Sequence, residues 1–174
     1  FSVGLLPQYT GSTVQFSGLT FTGGRAIGAG GAIRSSNASL VVSDCVFTDN
    51  QAGNFGGAIS LNRFDLTVTN CVFRNNASAI DDGGAIGAVG GRVSISGSTF
   101  EGNATGPTNR KGGAVFVGGG ELAIDRSRFT NNSAPNGGAV FGGGVVRISS
   151  SVLTGNAATG PGGGISVDAG ATLT

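Results

Sequence analysis

Six times along the chain the sequence returns to Gly-Gly-Ala-Ile or a close variant. The copies start at Gly30, Gly56, Gly83, Gly112, Gly137 and Gly162, so the steps are 26, 27, 29, 25 and 25 residues. Between them stands a second element, Phe-x-x-Asn, at Phe47/Asn50, Phe73/Asn76, Phe100/Asn103 and Phe129/Asn132, with leucine replacing phenylalanine at Leu153/Asn156. One copy of so short a unit cannot bury its own apolar face. Stacked copies bury a continuous core, so a period of this size implies a solenoid. The functional search therefore moves from a pocket to a face or a loop.

Each unit reads as three short strands and three turns. A strand follows each Gly-Gly-Ala, as in Ala58-Ile59-Ser60-Leu61 and Ala114-Val115-Phe116-Val117. After a Gly/Asn/Asp-rich turn comes an alternating strand, as in Leu66-Thr67-Val68 and Val93-Ser94-Ile95. Period-2 alternation of β-branched residues marks a half-buried strand. A third strand ends in the Phe, as in Cys71-Val72-Phe73. Three strands in such a unit leave no room for a helix. The fold class expected is all-β: a right-handed parallel β-helix (solenoid) of about six coils, three short strands per coil. Coils stack about 4.8 Å apart, so residues at one offset form columns along the axis. The expected inward columns contain Ile33, Ile59, Ile86 and Val115, then Leu40, Leu66, Val93 and Leu122, then Phe47, Phe73, Phe100 and Phe129. Asn50, Asn76, Asn103, Asn132 and Asn156 form a further column at a turn, where stacked amides bond to one another and to the turn backbone. Asn37, Asn76 and Asn103 also match the N-glycosylation pattern. The ladder is expected to hold the last two out of reach.

Composition limits the partners. The net charge is +1, from nine Arg, one Lys and nine acids, with no basic stripe, so nucleic acid is not expected. No apolar run reaches the roughly 18 residues that span a bilayer, so no transmembrane segment is expected. The chain has no His. It thus lacks the usual general base and the commonest metal ligand, and neither a metal nor a cofactor is expected. The opening residues from Phe1 show no signal-peptide pattern, which suits a mature secreted chain or an excised segment. Residues 1–174 read as one β-helix domain, a whole or a segment of a longer one. Residues 1–20, opening with the apolar run from Phe1 to Pro7, form a candidate N-terminal cap.

The alternation of GGA[I/L/V] with FxxN over Phe21 to Ile165 resembles the repeats of the chlamydial polymorphic outer membrane proteins and related autotransporter-like bacterial surface proteins. What the resemblance implies is a right-handed β-helix passenger, extracellular or on the bacterial cell surface, that serves in adhesion. The chain shows no C-terminal membrane β-barrel of the kind full-length members carry.

The candidate sites follow from the columns. The nine acids fall at scattered offsets. Only Asp81 and Asp82 are adjacent, Asp44 shares an offset with Asn70, and Asp49 roughly with Arg74, Gly102 and Asn131. None forms the convergent carboxylate pair of a glycosidase, so no catalytic residue is expected. Cys45 and Cys71 lie one coil apart in one inward column, near 5 Å if in register. A disulfide and two small buried thiols are both open readings. Phe116 and Phe141 are expected to stack on the outside, beside a strip of Ala32, Ala58, Ala85, Ala114 and Ala139, as a contact face or under a covering loop. The longest insertion, Ala104 to Lys111, offers Asn109, Arg110 and Lys111 as contacts for an acidic or glycan partner.

The leading functional expectation is a non-enzymatic extracellular β-helix that adheres to a protein or glycan receptor or serves as a stalk. One alternative is an extracellular filament of head-to-tail copies. A less favoured one is a polysaccharide lyase or hydrolase.

Overall fold

Four parallel sheets run the length of the molecule, each taking one strand from every coil. The computed structural model describes Ser2–Val3 and residues 11–174. The first sheet has seven strands, among them Ile59–Asn62, Ile86–Val89 and Val115–Gly118. The second also has seven, including Leu66–Thr69, Arg92–Ser96 and Glu121–Asp125. The third, six-stranded, carries the Phe strands, such as Val72–Arg74 and Thr99–Glu101. To these three expected strands the structure adds a fourth of two residues after the ladder Asn, such as Ala77–Ser78 and Ala104–Thr105. It is too short to show a period in sequence.

Register follows the columns read from the sequence. Leu66 pairs with Leu40 on one side and Val93 on the other. Phe73 pairs with Phe47 and Phe100. Ile33, Leu40, Ile59, Leu66, Ile86 and Leu122 are fully buried. The phenylalanines stack face to face along the axis: Phe47 on Phe73 at 4.7 Å and 3°, and Phe100 on Phe129 at 4.6 Å and 1°. Coil spacing imposes this arrangement, because a ring locked at one offset meets its equivalent one strand spacing away.

The Gly-Gly corner separates two requirements. Gly56 has φ +66° and turns the chain. A Cβ there would also lie 2.2 Å from the Ile59 carbonyl. Gly57 is in contact with the next coil: a Cβ would sit 2.0 Å from the Gly84 carbonyl oxygen and 2.6 Å from the Ala77 backbone. The first glycine is needed for its dihedral and the second for close approach.

Two expectations change here. The alanines after the glycines are not an outer strip: Ala58, Ala85, Ala114 and Ala139 are fully buried and belong to the core. The chain has already turned inward at that point. Of the residues 1–20 suggested as a cap, Ser12–Ser17 is a regular strand of the second sheet, paired in register with Ala38–Ser43. Ser2–Val3 pairs with Arg34 and Ser35 in the first sheet. Phe1 and residues 4–10 lie outside the described residues.

Candidate functional site

The bend between the third and fourth sheets carries the asparagine ladder. In each coil a left-handed residue precedes the ladder Asn: Asp49, Asn75 and Asn131 have φ of 57°, 54° and 55°, and Gly102 and Gly155 stand in the same column. The pairing of Thr48 with Arg74 places Asp49 beside Asn75, not beside Arg74. Asp and Asn adopt this conformation at low cost because their short polar side chains satisfy the local backbone. The adjacent Asn then turns inward. Asn50, Asn76, Asn103 and Asn132 are fully buried. Asn76 and Asn103 are thereby closed to glycosylation.

A second polar ladder runs through the column of Cys45, Cys71, Ser98, Ser127 and Ser151. The backbone N–H of Cys45 donates to Cys71 Sγ at 3.4 Å, that of Cys71 to Ser98 Oγ at 3.1 Å, and that of Ser98 to Ser127 Oγ at 3.2 Å. Each side chain in turn donates to the carbonyl two residues earlier: Cys71 Sγ to Thr69 at 3.2 Å and Ser98 Oγ to Ser96 at 2.9 Å. Both cysteines are free and buried. Burial pushes the Cys71 thiol up to about 11. The column was visible in sequence. Its role in satisfying bend N–H groups was not, because Cys and Ser look like unrelated fillers until their common geometry is seen.

Phe116 and Phe141 do point away from the core and stack on each other, with centroids 5.7 Å apart. They do not form an exposed face. Phe116 is 8% exposed and Phe141 3%. Phe55, from an earlier turn, meets Phe116 edge-on at 5.4 Å. Its ring occupies the space above Gly87, where a Cβ would lie 2.7 Å from it. Lys111 Nζ sits 4.3 Å over the Phe141 ring. The covering groups come from turns of variable length, so no periodicity announces them.

Lys111 is thus a fixed corner residue and not a loop tip. Its backbone N–H donates to Asp82 Oδ1 at 2.8 Å, its Nζ lies 3.6 Å from Asp168 Oδ2, and it bridges to Asn136. Arg110 is half-buried and its carbonyl accepts from the Asn136 N–H at 2.9 Å. Asn109 is exposed, with φ 51°. Desolvation by burial is the main cause that raises the Asp82 carboxyl above the usual carboxylate range. Lys111 therefore holds Asp82 through its backbone N–H and Asp168 through its Nζ, contacts hidden in sequence by their distance along the chain.

Most other acids lie in axial or local contacts. Glu101 pairs with Arg74 at 2.9 Å. Glu121 pairs with Arg92 at 2.9 Å and also with Arg147. Asp65 accepts from the Arg92 N–H at 2.8 Å, Asp44 from Asn70 Nδ2 at 3.4 Å, and Asp125 from Ser149 Oγ at 2.9 Å.

Two of the surface hollows lie along the fourth sheet. A hollow of about 440 Å³ lies over the first three coils, lined by Ala26, Ile27, Ala52, Gly53 and Ala79 among others. A second of about 240 Å³ lies over the last three, lined by Pro107, Ala134, Pro135 and Ala158 among others.

Against this geometry, a family model described as "Right handed beta helix region" matches residues 8–174. The chain belongs to this family. Searches of curated proteins and of solved structures give no match. Membership fixes the hand of the coil, and the right-handed β-helix of this chain presents four faces with distinct chemistry: a first sheet covered by Phe55 and Lys111, a second laced by ion pairs, a third of Val, Thr and charged residues, and a fourth that forms a shallow apolar trough. Among the described residues no helix is long and apolar enough to cross a membrane.

Proposed function

We propose that this right-handed β-helix is a non-enzymatic rod of the extracellular space or bacterial cell surface, used for adhesion or as a stalk. The observation that carries the reading is the fate of the carboxylates. Glu101 and Glu121 are held by arginines one coil away, and Asp65 by a backbone N–H one coil on. Such contacts lock neighbouring coils together and leave these acids engaged, whereas glycoside cleavage needs two carboxylates facing one bond about 5–10 Å apart. The likeness of the GGA[I/L/V] and FxxN motifs to surface-protein repeats supports the location.

A second reading is polysaccharide cleavage, for which Asp82 and Asp168, held by the backbone N–H and the Nζ of Lys111, are the acids to test. The experiment that separates the readings pairs binding and turnover. The purified chain is expected to bind a subset of glycans or host-cell surfaces and to release neither reducing ends nor unsaturated products. Product formation that disappears in Asp82→Asn would replace the rod by an enzyme.

A further inference from the structure

The aromatic cover of the first sheet stops at Phe55. One outward column of that sheet pairs in register as Arg34, Ser60, Gly87, Phe116 and Phe141. Phe116 and Phe141 fill their own places, and the Phe55 ring fills the space over Gly87. Toward Arg34 nothing of that size follows. Ala29 holds the place of Phe55 one coil earlier, as the bond from the Gly30 N–H to the Phe55 carbonyl shows. Its methyl group leaves a hollow of about 240 Å³ between Phe55 and Arg34. Ser60 lies in the lining, and Ser36, Asn62 and Val89 come from the next outward column.

Two groups in this hollow have no partner. Ser60 is only 7% exposed, yet its hydroxyl is in no hydrogen bond among the described residues. Buried polar groups rarely go unpaired, and leaving one so is costly. Arg34 stands exposed in the lining, in no ion pair or hydrogen bond among the described residues. Arg74, Arg92 and Arg147 are by contrast each held by a glutamate. No acid lines the hollow, so one uncompensated positive charge faces it.

We propose that this hollow binds one carboxylate-bearing sugar residue of a glycan, a specificity that rests on the adhesive reading above. The planar guanidinium of Arg34 takes the carboxylate through two parallel N–H bonds. The hydroxyl of Ser60 and the amide of Asn62 each donate and accept, which suits sugar hydroxyls. Phe55 and Val89, the latter 45% exposed, offer apolar surface to the C–H face of the ring. The volume lies below the roughly 300–1,000 Å³ of sites for drug-sized ligands, so it holds a single residue of the glycan. An acidic peptide would engage Arg34 and leave the hydroxyl and amide groups without matched partners.

NMR titration of the isotope-labelled full chain tests the site. The probes are glucuronate, galacturonate and N-acetylneuraminate, with glucose and galactose as neutral sugars and a short polyglutamate as a carboxylate without a sugar. At least one acidic sugar is expected to shift the backbone N–H signals of Ser60 and Asn62, with the neutral sugars and the peptide at least tenfold weaker. Arg34→Gln is expected to weaken the acidic sugar at least tenfold, to the level of the neutral ones, with an unchanged unfolding midpoint. Ser60→Ala is expected to weaken it severalfold and to unfold no earlier, because the hydroxyl it loses bonds to nothing in the fold. No shift with any acidic sugar, an equal response to polyglutamate, or full binding in Arg34→Gln overturns the proposal. Binding of the chain to glycan-bearing surfaces separates it from the reading beneath it. Surface binding that survives Arg34→Gln overturns the site and leaves adhesion standing. Sugar binding at Ser60 and Asn62 in a chain that adheres to no surface upholds the site and overturns adhesion.

Discussion

Asn76 Nδ2 lies 2.9 Å from Asn103 Oδ1 in the next coil, and the backbone N–H of Asn76 donates to the same oxygen at 3.0 Å. The second Nδ2 hydrogen reaches back to the Phe47 carbonyl at 3.0 Å. One amide therefore ties three coils together. Its Oδ1 takes two donors from the coil before, and its Nδ2 serves the coils before and after.

Removing one member orphans several groups at once. In Asn103→Ala the N–H and Nδ2 of Asn76 lose their acceptor and the Phe73 carbonyl loses its donor. Buried unsatisfied groups cost about 1–3 kcal/mol each, so a loss of about 3–5 kcal/mol is expected. Asn156, only partly buried at the end of the ladder, is expected to cost clearly less when replaced by Ala. Urea denaturation of both variants checks the ranking; equal costs would mean that the ladder is not a shared structure.

The phenylalanine stack tolerates shape better than loss. Leu153 already occupies this column in the sixth coil, paired with Phe129. Phe100→Leu is expected to cost about 1–2 kcal/mol and Phe100→Ala about 3–5 kcal/mol. Thermal unfolding of the two variants measures the difference.

The second glycine of a corner is the less replaceable kind. A methyl at Gly57 meets two backbone segments of the next coil, so Gly57→Ala is expected to cost at least about 3 kcal/mol. Gly119, with φ +87° and open space around its Cβ position, is expected to lose only about 1 kcal/mol on the same change. Unfolding midpoints of the pair distinguish crowding from dihedral strain.

The thiol ladder makes a pH-dependent statement. In the folded chain Cys71 holds its proton up to about 11, above its ordinary 9.0. The unfolded chain releases that proton first, so stability is full below about pH 9 and falls as the pH rises toward 11. Cys71→Ser is expected to remove this contribution and fold normally, because Ser98 fills the same offset with the same bonds. Denaturation followed from pH 7 to 11 (about the window set by these two values) tests it in both proteins. An unchanged alkaline limb in the variant would contradict the assignment.

The columns of Ile, Leu, Val, Phe and Asn were legible because each residue faces its own copy one coil away. A contact that repeats in space repeats in sequence. The misplaced features are those where residues from different offsets meet. The outward stack of Phe116 and Phe141 could be counted, but the cover from Phe55 and Lys111 crosses between columns, and Gly87 was its only trace. The alanines following the glycines read as an outer strip because alternation was carried through a corner, where the chain direction changes. Asp49 was set beside Arg74 because the left-handed column of Asp, Asn and Gly before the ladder was not separated from the strand it ends. Asp82 touches the backbone of Lys111 and Asp168 its side-chain end, contacts between different offsets that have no sequence signature.

The central claim is that neighbouring coils are joined through a buried, in-register amide ladder. Hydrogen exchange by NMR tests it most directly. The backbone N–H of Asn76 and Asn103 and the side-chain Nδ2 protons of Asn76, Asn103 and Asn132 are expected to rank with the slowest-exchanging in the molecule, opening only with global unfolding. Side-chain amides of Asn76 and Asn103 that exchange as fast as that of exposed Asn109 would contradict the account.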